Sequence, residues 1–199
     1  MENLLGVLVG VGLSAVCGFR VFVPMLGISI AAHAGWLPLN SGFAWLGTYP
    51  ALIAFAVATI LEIAGYYIPI VDNFLDTLAT PSAIVAGTIV TAAFIGDLSP
   101  FLKWTLAIIA GGGAAGAVQT STVALRAAGQ TAAPIISTPI VTTVETALSA
   151  IVTALAFIAP ILCVIVVAGL CCLLFIIVKR FVGGLRALFR KNTRKLSCA

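Results

Sequence analysis

Two glutamates, Glu62 and Glu145, lie inside long apolar segments, and each closes a Thr-x-x-Glu pattern that begins at Thr59 or Thr142. The segments read ALIAFAVATILEIAGYYIPI over 51–70 and PIVTTVETALSAIVTALAFI over 139–158. An ionised side chain at the centre of a bilayer costs on the order of 2.5–3.5 kcal/mol on insertion scales. A chain that accepts this cost twice is expected to use the groups: to carry protons, to coordinate a cation, or to neutralise an arginine. Arg20 and Arg126 are as deep in apolar sequence. Opposite charges within about 4–6 Å hold each other ionised. Each arginine is therefore expected to face a glutamate, in its own half of the chain or across to the other. Such pairs either fix helix packing or form a central site where substrate or protons compete for them. Arginine keeps its proton, so its part there would be to hold an anionic group.

Asp72 and Asp76 form a second acidic pair in IPIVDNFLDTLATP. Four-residue spacing puts both on one face if this stretch is helical, and Pro69 and Pro81 bracket it. With Glu62 they could offer oxygen ligands to a hard cation such as Mg²⁺, Ca²⁺ or Mn²⁺; otherwise they are surface aspartates of a solvated connection. The second half has no matching acids. Cysteines 17, 163, 171, 172 and 198 show no metal-binding spacing, and those in apolar segments read as small apolar residues. The only histidine, His33, lies near Trp36 at the end of a span and reads as interfacial. No Ser-His-Asp or Cys-His set can form around it, so an enzyme is not expected. GGGAAGA at 111–117 is followed by no GK[ST], which argues against nucleotide binding. No cofactor is implied.

These residues must be held by membrane helices. The chain of 199 residues is 62% hydrophobic and 8% charged, where soluble domains carry about 25% charge. It reads as an all-α integral membrane protein, one bundle over 1–178 followed by a basic tail over 179–199. MENLLG lacks a positive n-region and the apolar run behind it is long, so removal as a signal peptide is not expected. Seven of the ten basic residues lie from Lys179 to Lys195. By the positive-inside rule that tail is cytoplasmic, a topology anchor or a short basic helix on anionic lipid; nucleic acid is not an expected partner.

A span needs about 20 apolar residues. The run 4–34 is interrupted by Arg20 and Pro24, and reads as one broken helix or as a helix and a separate segment. Residues 36–50 form a Trp-, Gly- and Pro-rich interfacial loop, followed by a span over 51–70, an amphipathic turn over 71–80 and a span over 81–96. DLSPFLKW (97–104) is a second interfacial connection, and 105–118 is rich in small residues. The stretch 119–139, with Thr120 and Arg126, mixes hydroxyls, Gln and Pro with apolar patches. It is expected to be re-entrant or broken, or else an exposed loop. Spans over 139–158 and 160–178 finish a count of about six.

A shift of 106 residues brings Gly6, Gly10, Ser14 and Arg20 onto Gly112, Gly116, Thr120 and Arg126, and a shift of 83 aligns the two Thr-x-x-Glu patterns. Half-repeats 4–96 and 102–178 would be inverted if each crosses an odd number of times. Arg20 and Glu62 are 42 residues apart, but Arg126 and Glu145 only 19, so the first half carries an insertion. Gly6, Gly10, Gly112 and Gly116 have small-xxx-small spacing for close helix packing, and a homodimer would bury more of such faces.

CGFRVFVP (17–24), Leu61-Glu62, IPIVDNFLD (68–76) and STPIVTTVE (137–145) resemble a family of small polytopic bacterial inner-membrane proteins of unknown function. The resemblance covers roughly 4–178 and implies a multi-pass inner-membrane protein. Its motif positions match Arg20, Glu62, Pro69, Asp72, Asp76 and Glu145, and it implies no activity. The leading expectation is a small transporter or channel. An ion or solute would bind at a midplane site of Arg20, Glu62, Thr59, Asp72, Asp76, Thr120, Arg126, Thr142 and Glu145, with the glutamates linked to protons or a cation. The alternatives are a non-transporting scaffold subunit and a carrier of lipid-linked anions. Expected partners are membrane lipid and the transported species.

Overall fold

The computed structural model describes residues 2–37, 39–96, 98–132, 137–159 and 161–170, with 172, 173, 176 and 179 beyond them; at 2–5, 69–70, 72–73, 128–132 and 137–139 it describes backbone alone. Every regular element among them is helical. The basic tail lies outside the described residues except for Lys179.

The first apolar run is two helices, α1 (Glu2–Cys17) and α2 (Phe22–His33), separated by a break at 18–21. Short turns fill the break: Gly18 N–H donates to the Ala15 carbonyl at 3.0 Å and Phe19 N–H to that of Val16 at 2.9 Å. A Cβ on Gly18 would stand 2.5 Å from the Ala115 carbonyl oxygen, so glycine lets the break press against a neighbouring helix. Pro24 falls in the first turn of α2, where a missing N–H costs no ladder bond. After a 3-10 turn over Ser41–Gly47 the chain turns by 61° into α3 (Tyr49–Gly65), with Pro50 in its first turn.

The proposed turn over 71–80 is instead the first part of α4, which runs unbroken over Pro69–Phe94. Pro69 opens it, where its fixed φ is favourable, and Pro81 is carried inside, as bilayer helices tolerate. Pro100 likewise starts α5 (Pro100–Leu106), which passes through a π-helical turn over Ala107–Gly112 into α6 (Gly113–Ala132). The first fourteen residues of the stretch 119–139 are therefore neither re-entrant nor an exposed loop. Their hydroxyls bond back to their own helix, Thr120 Oγ1 to the Gly116 carbonyl at 2.7 Å and Ser121 Oγ to that of Ala117 at 2.8 Å. Hydroxyls that return to the i−4 carbonyl leave the helix intact. Residues 133–136 lie outside the described residues, and α7 (Ser137–Ile158) follows, then α8 (Ile161–Leu170).

Three described helices are long and apolar enough to cross a membrane: Phe74–Phe94, Pro100–Ala127 and Ile140–Ile158. The bent pair Ser41–Gly47 and Tyr49–Gly65 makes a fourth if it is one span. Gly6–Cys17, Phe22–His33 and Ile161–Leu170 are shorter apolar helices. Several apolar helices of this kind are compatible with a multi-pass membrane protein.

Small residues bring helices into close contact inside the bundle, Gly10 among those expected to pack this way. A Cβ on Gly10 would meet Thr91 Cα of α4 at 3.1 Å, and one on Gly87 would meet Ala115 Cβ of α6 at 2.6 Å. Thr91 Oγ1 also donates to the Gly10 carbonyl at 3.2 Å. Close approach of α1, α4 and α6 thus depends on small residues. Around them Leu13, Val16, Ile28, Val90, Val118 and Val152 are buried. The outer surface is apolar, with Ile53, Ile60, Phe74 and Ile151 all exposed.

Candidate functional site

Five elements bring charge to one buried place. Arg20 comes from the α1–α2 break and is 0% exposed, Glu62 from the end of α3, Asp76 from α4, Arg126 from α6 and Glu145 from α7. The pairing is asymmetric. Arg126 grips Glu145 with both arms of its fork: Nε donates to Oε1 at 3.3 Å and Nη2 to Oε2. Its Nη1 donates to Asp76 Oδ1 at 3.0 Å. Such bidentate geometry gives arginine–carboxylate pairs strength and direction. Arg20 reaches the same glutamate, Nη2 lying 3.6 Å from Glu145 Oε2, and donates to the Thr142 carbonyl at 3.3 Å. Glu145 therefore serves both arginines, one from its own half and one across.

Glu62 works differently. Its Oε1 accepts the Val21 N–H at 2.9 Å and its Oε2 the Phe22 N–H at 3.1 Å. The first turn of α2 has no side-chain cap of its own, and a carboxylate from α3 supplies one. Helix N-termini carry unsatisfied amides and about half a positive charge, and in a bilayer no water is there to satisfy them. The break that carries Arg20 is thus stitched to α3 by Glu62.

Tyr66, at the end of α3, joins this set without an obvious polar motif to announce it. Both guanidinium carbons, of Arg20 and of Arg126, lie 4.1 Å from its ring centroid. Desolvated cation–π contacts contribute about 2 kcal/mol. The available signal was spacing, because Tyr66 stands four residues after Glu62 and shares its helix face. Ser149 and Thr153 were also missed. They continue the Thr142–Glu145 face of α7 at helical intervals, and all four are buried. The hydroxyls of Thr142, Ser149 and Thr153 have no hydrogen-bond partner among the described residues, and neither have Arg20 Nε and Nη1.

The remaining candidates stand apart. Thr59 is buried, but its hydroxyl donates to the Phe55 carbonyl at 2.7 Å, inside its own helix. Thr120 is exposed on α6 and outside the cluster. Asp72 lies on α4 with its side chain outside the described residues. Its proposed metal partners are engaged elsewhere, Glu62 by amides and Asp76 by Arg126, and no group of metal-ligating side chains occurs among the described residues. His33 bonds the Gly47 carbonyl at 3.0 Å and packs on Tyr49, away from the charges.

The sequence over residues 7–180 matches the family described as a domain of unknown function (DUF4126), and the chain belongs to that family. The match agrees with the resemblance to a family of unknown function and covers the positions of Arg20, Glu62, Asp72 and Asp76. No curated protein and no solved structure matches the chain.

Proposed function

We propose that the protein is a small inner-membrane transporter or channel whose midplane site is the Arg20–Glu62–Asp76–Arg126–Glu145 cluster, taking one positive charge, a proton or a monovalent cation. The observation that carries this is the charge balance. Three carboxylates face two guanidiniums among the described side chains, and Glu62 is the carboxylate with hydrogen bonds to amides in place of a guanidinium. An excess negative charge at membrane depth is costly, and binding one cation or proton relieves it. The break beside Arg20 supports the same reading, since unwound backbone at membrane depth belongs next to a ligand site or buried protein. In this reading the chain crosses about six times as two inverted halves, with α2 and the 3-10 turn as the insertion in the first. The C-terminus is cytoplasmic, and the protein is not an enzyme.

The second reading, a non-transporting scaffold, has its own observation. The same bonds tie the α1–α2 break, α2, α3, α4, α6 and α7 together, as buried ion pairs that fix packing would. Flux in proteoliposomes separates the two. Proton and monovalent-cation fluxes are measured with entrapped indicators for wild type and Glu62→Gln, with folded protein matched by gel filtration. Transport predicts a flux in wild type that falls about tenfold or more in the variant, the scale of about 1.4 kcal/mol of lost cation binding. No flux in wild type above empty vesicles, with the variant merely less stable, establishes the scaffold.

A further inference from the structure

We infer that the cleft between α3 and α4 admits an amphiphilic organic cation, an ammonium head on an apolar body, to Glu62 directly from the bilayer. The cleft has a volume of about 320 Å³ and is walled by Val21 of the break, Phe22 of α2, Ala58 of α3, and Leu75 and Ala79 of α4. That is the lower end of the range of small-molecule sites, about 300–1,000 Å³. Among the described residues its lining is apolar except for Glu62, Tyr66 and Ser82, and Glu62 is the one carboxylate among them. Its mouth is a lipid-type surface. Leu61 on α3 and Leu78 on α4 line the cleft and are 64% and 46% exposed. A ligand partitioned into the hydrocarbon reaches this mouth without crossing a polar barrier.

The chemistry of the head follows from what Glu62 still has to offer. Each oxygen accepts one amide hydrogen from the start of α2, and a carboxylate oxygen accepts about two. One acceptor position per oxygen is left. The helix terminus compensates about half a charge; neither arginine lines the cleft. A donor head with a full positive charge satisfies both the free lone pairs and the remaining charge, whereas an anion would meet Glu62 head-on. The inference rests on the reading of Glu62 as the seat of the excess negative charge, and narrows the transported class to lipophilic amines.

The test uses the full-length protein in phosphatidylcholine nanodiscs with a photoactivatable long-chain primary amine, and with its uncharged N-acetyl derivative. Cross-links are located by peptide mass spectrometry. Two variants are compared: Glu62→Gln, and Ser82→Trp, which places a bulky ring at an exposed position of the rim. The amine is expected to label the segment 58–82 in wild type and about tenfold less in each variant, while the N-acetyl derivative labels weakly. Equal labelling by both derivatives, or undiminished labelling in Ser82→Trp, overturns the inference. Cation flux that depends on Glu62, without amine labelling of wild type, overturns it while leaving the transport reading intact. Labelling as expected with no flux of any cation upholds the site and overturns transport.

Discussion

Glu62 and Glu145 share a four-residue pattern, a place in an apolar helix and near-complete burial, yet they do opposite work. Glu145 is held between two guanidiniums; Glu62 holds two backbone amides of a broken helix. The difference lies in what faces them. Opposite Glu145 the chain presents the side chains of Arg126 and Arg20. Opposite Glu62 it presents the start of α2, whose amides would otherwise go unsatisfied. A carboxylate in a dry bundle takes whichever positive partner the packing offers, a full charge or the end of a helix dipole. The threonines repeat the contrast, Thr59 being bonded within its helix and Thr142 leaving its hydroxyl unpaired among the described residues.

Breaking the Glu145 side of this comparison should have the largest effect. Glu145→Gln removes the carboxylate that Arg126 grips with two nitrogens and, among the described residues, the one at ion-pair distance from Arg20, and removing one partner of a buried pair costs about 3–5 kcal/mol. Denaturant unfolding in detergent should show a loss of that size; a loss under about 1 kcal/mol would mean that the arginines do not depend on Glu145. Glu62→Gln removes charge but keeps an oxygen for one amide. Its expected cost is smaller, about 1–2 kcal/mol, that of a weakened helix cap. Hydrogen exchange should report the loss at the first turn of α2, and exchange unchanged there would refute the capping role. The threonines give the finest contrast. Thr59→Val breaks a satisfied bond within one helix and should cost about 0.5–1 kcal/mol. Thr142→Val removes a buried orphan hydroxyl and should be neutral or stabilising, by up to about 1 kcal/mol. The same direction and size for both would show that the two Thr-x-x-Glu patterns are equivalent after all.

Much of this site was legible in the sequence because its members are charged residues in apolar surroundings, where each exception is costly and so conspicuous. Arg20, Glu62, Arg126 and Glu145 stood out for that reason, and the pairing of arginine with glutamate followed from burial alone. Tyr66 did not stand out, since an aromatic residue at a helix end is ordinary until two guanidiniums are found on its ring. The path of 119–132 was misread for a related reason. Hydroxyls, Gln and Arg look like a broken segment, but Thr120 and Ser121 spend their hydrogen bonds on their own helix and leave it whole. Pro69 and Pro81 looked like brackets around a turn; one starts a helix and the other is tolerated within it.

By itself, then, the sequence determined the all-helical, apolar character of the protein and the identity of its buried charges. Both depend on transfer free energies, which are properties of residue types and run lengths: apolar segments seek the membrane, and ionised groups within them require partners. Only the tertiary structure decided who those partners are. Whether Glu62 meets an arginine or a helix end, whether Glu145 serves one guanidinium or two, and which glycines lie against which helix all depend on distances of a few ångströms. Those distances are set by how α1, α2, α3, α4, α6 and α7 pack against one another, and no single segment contains that information.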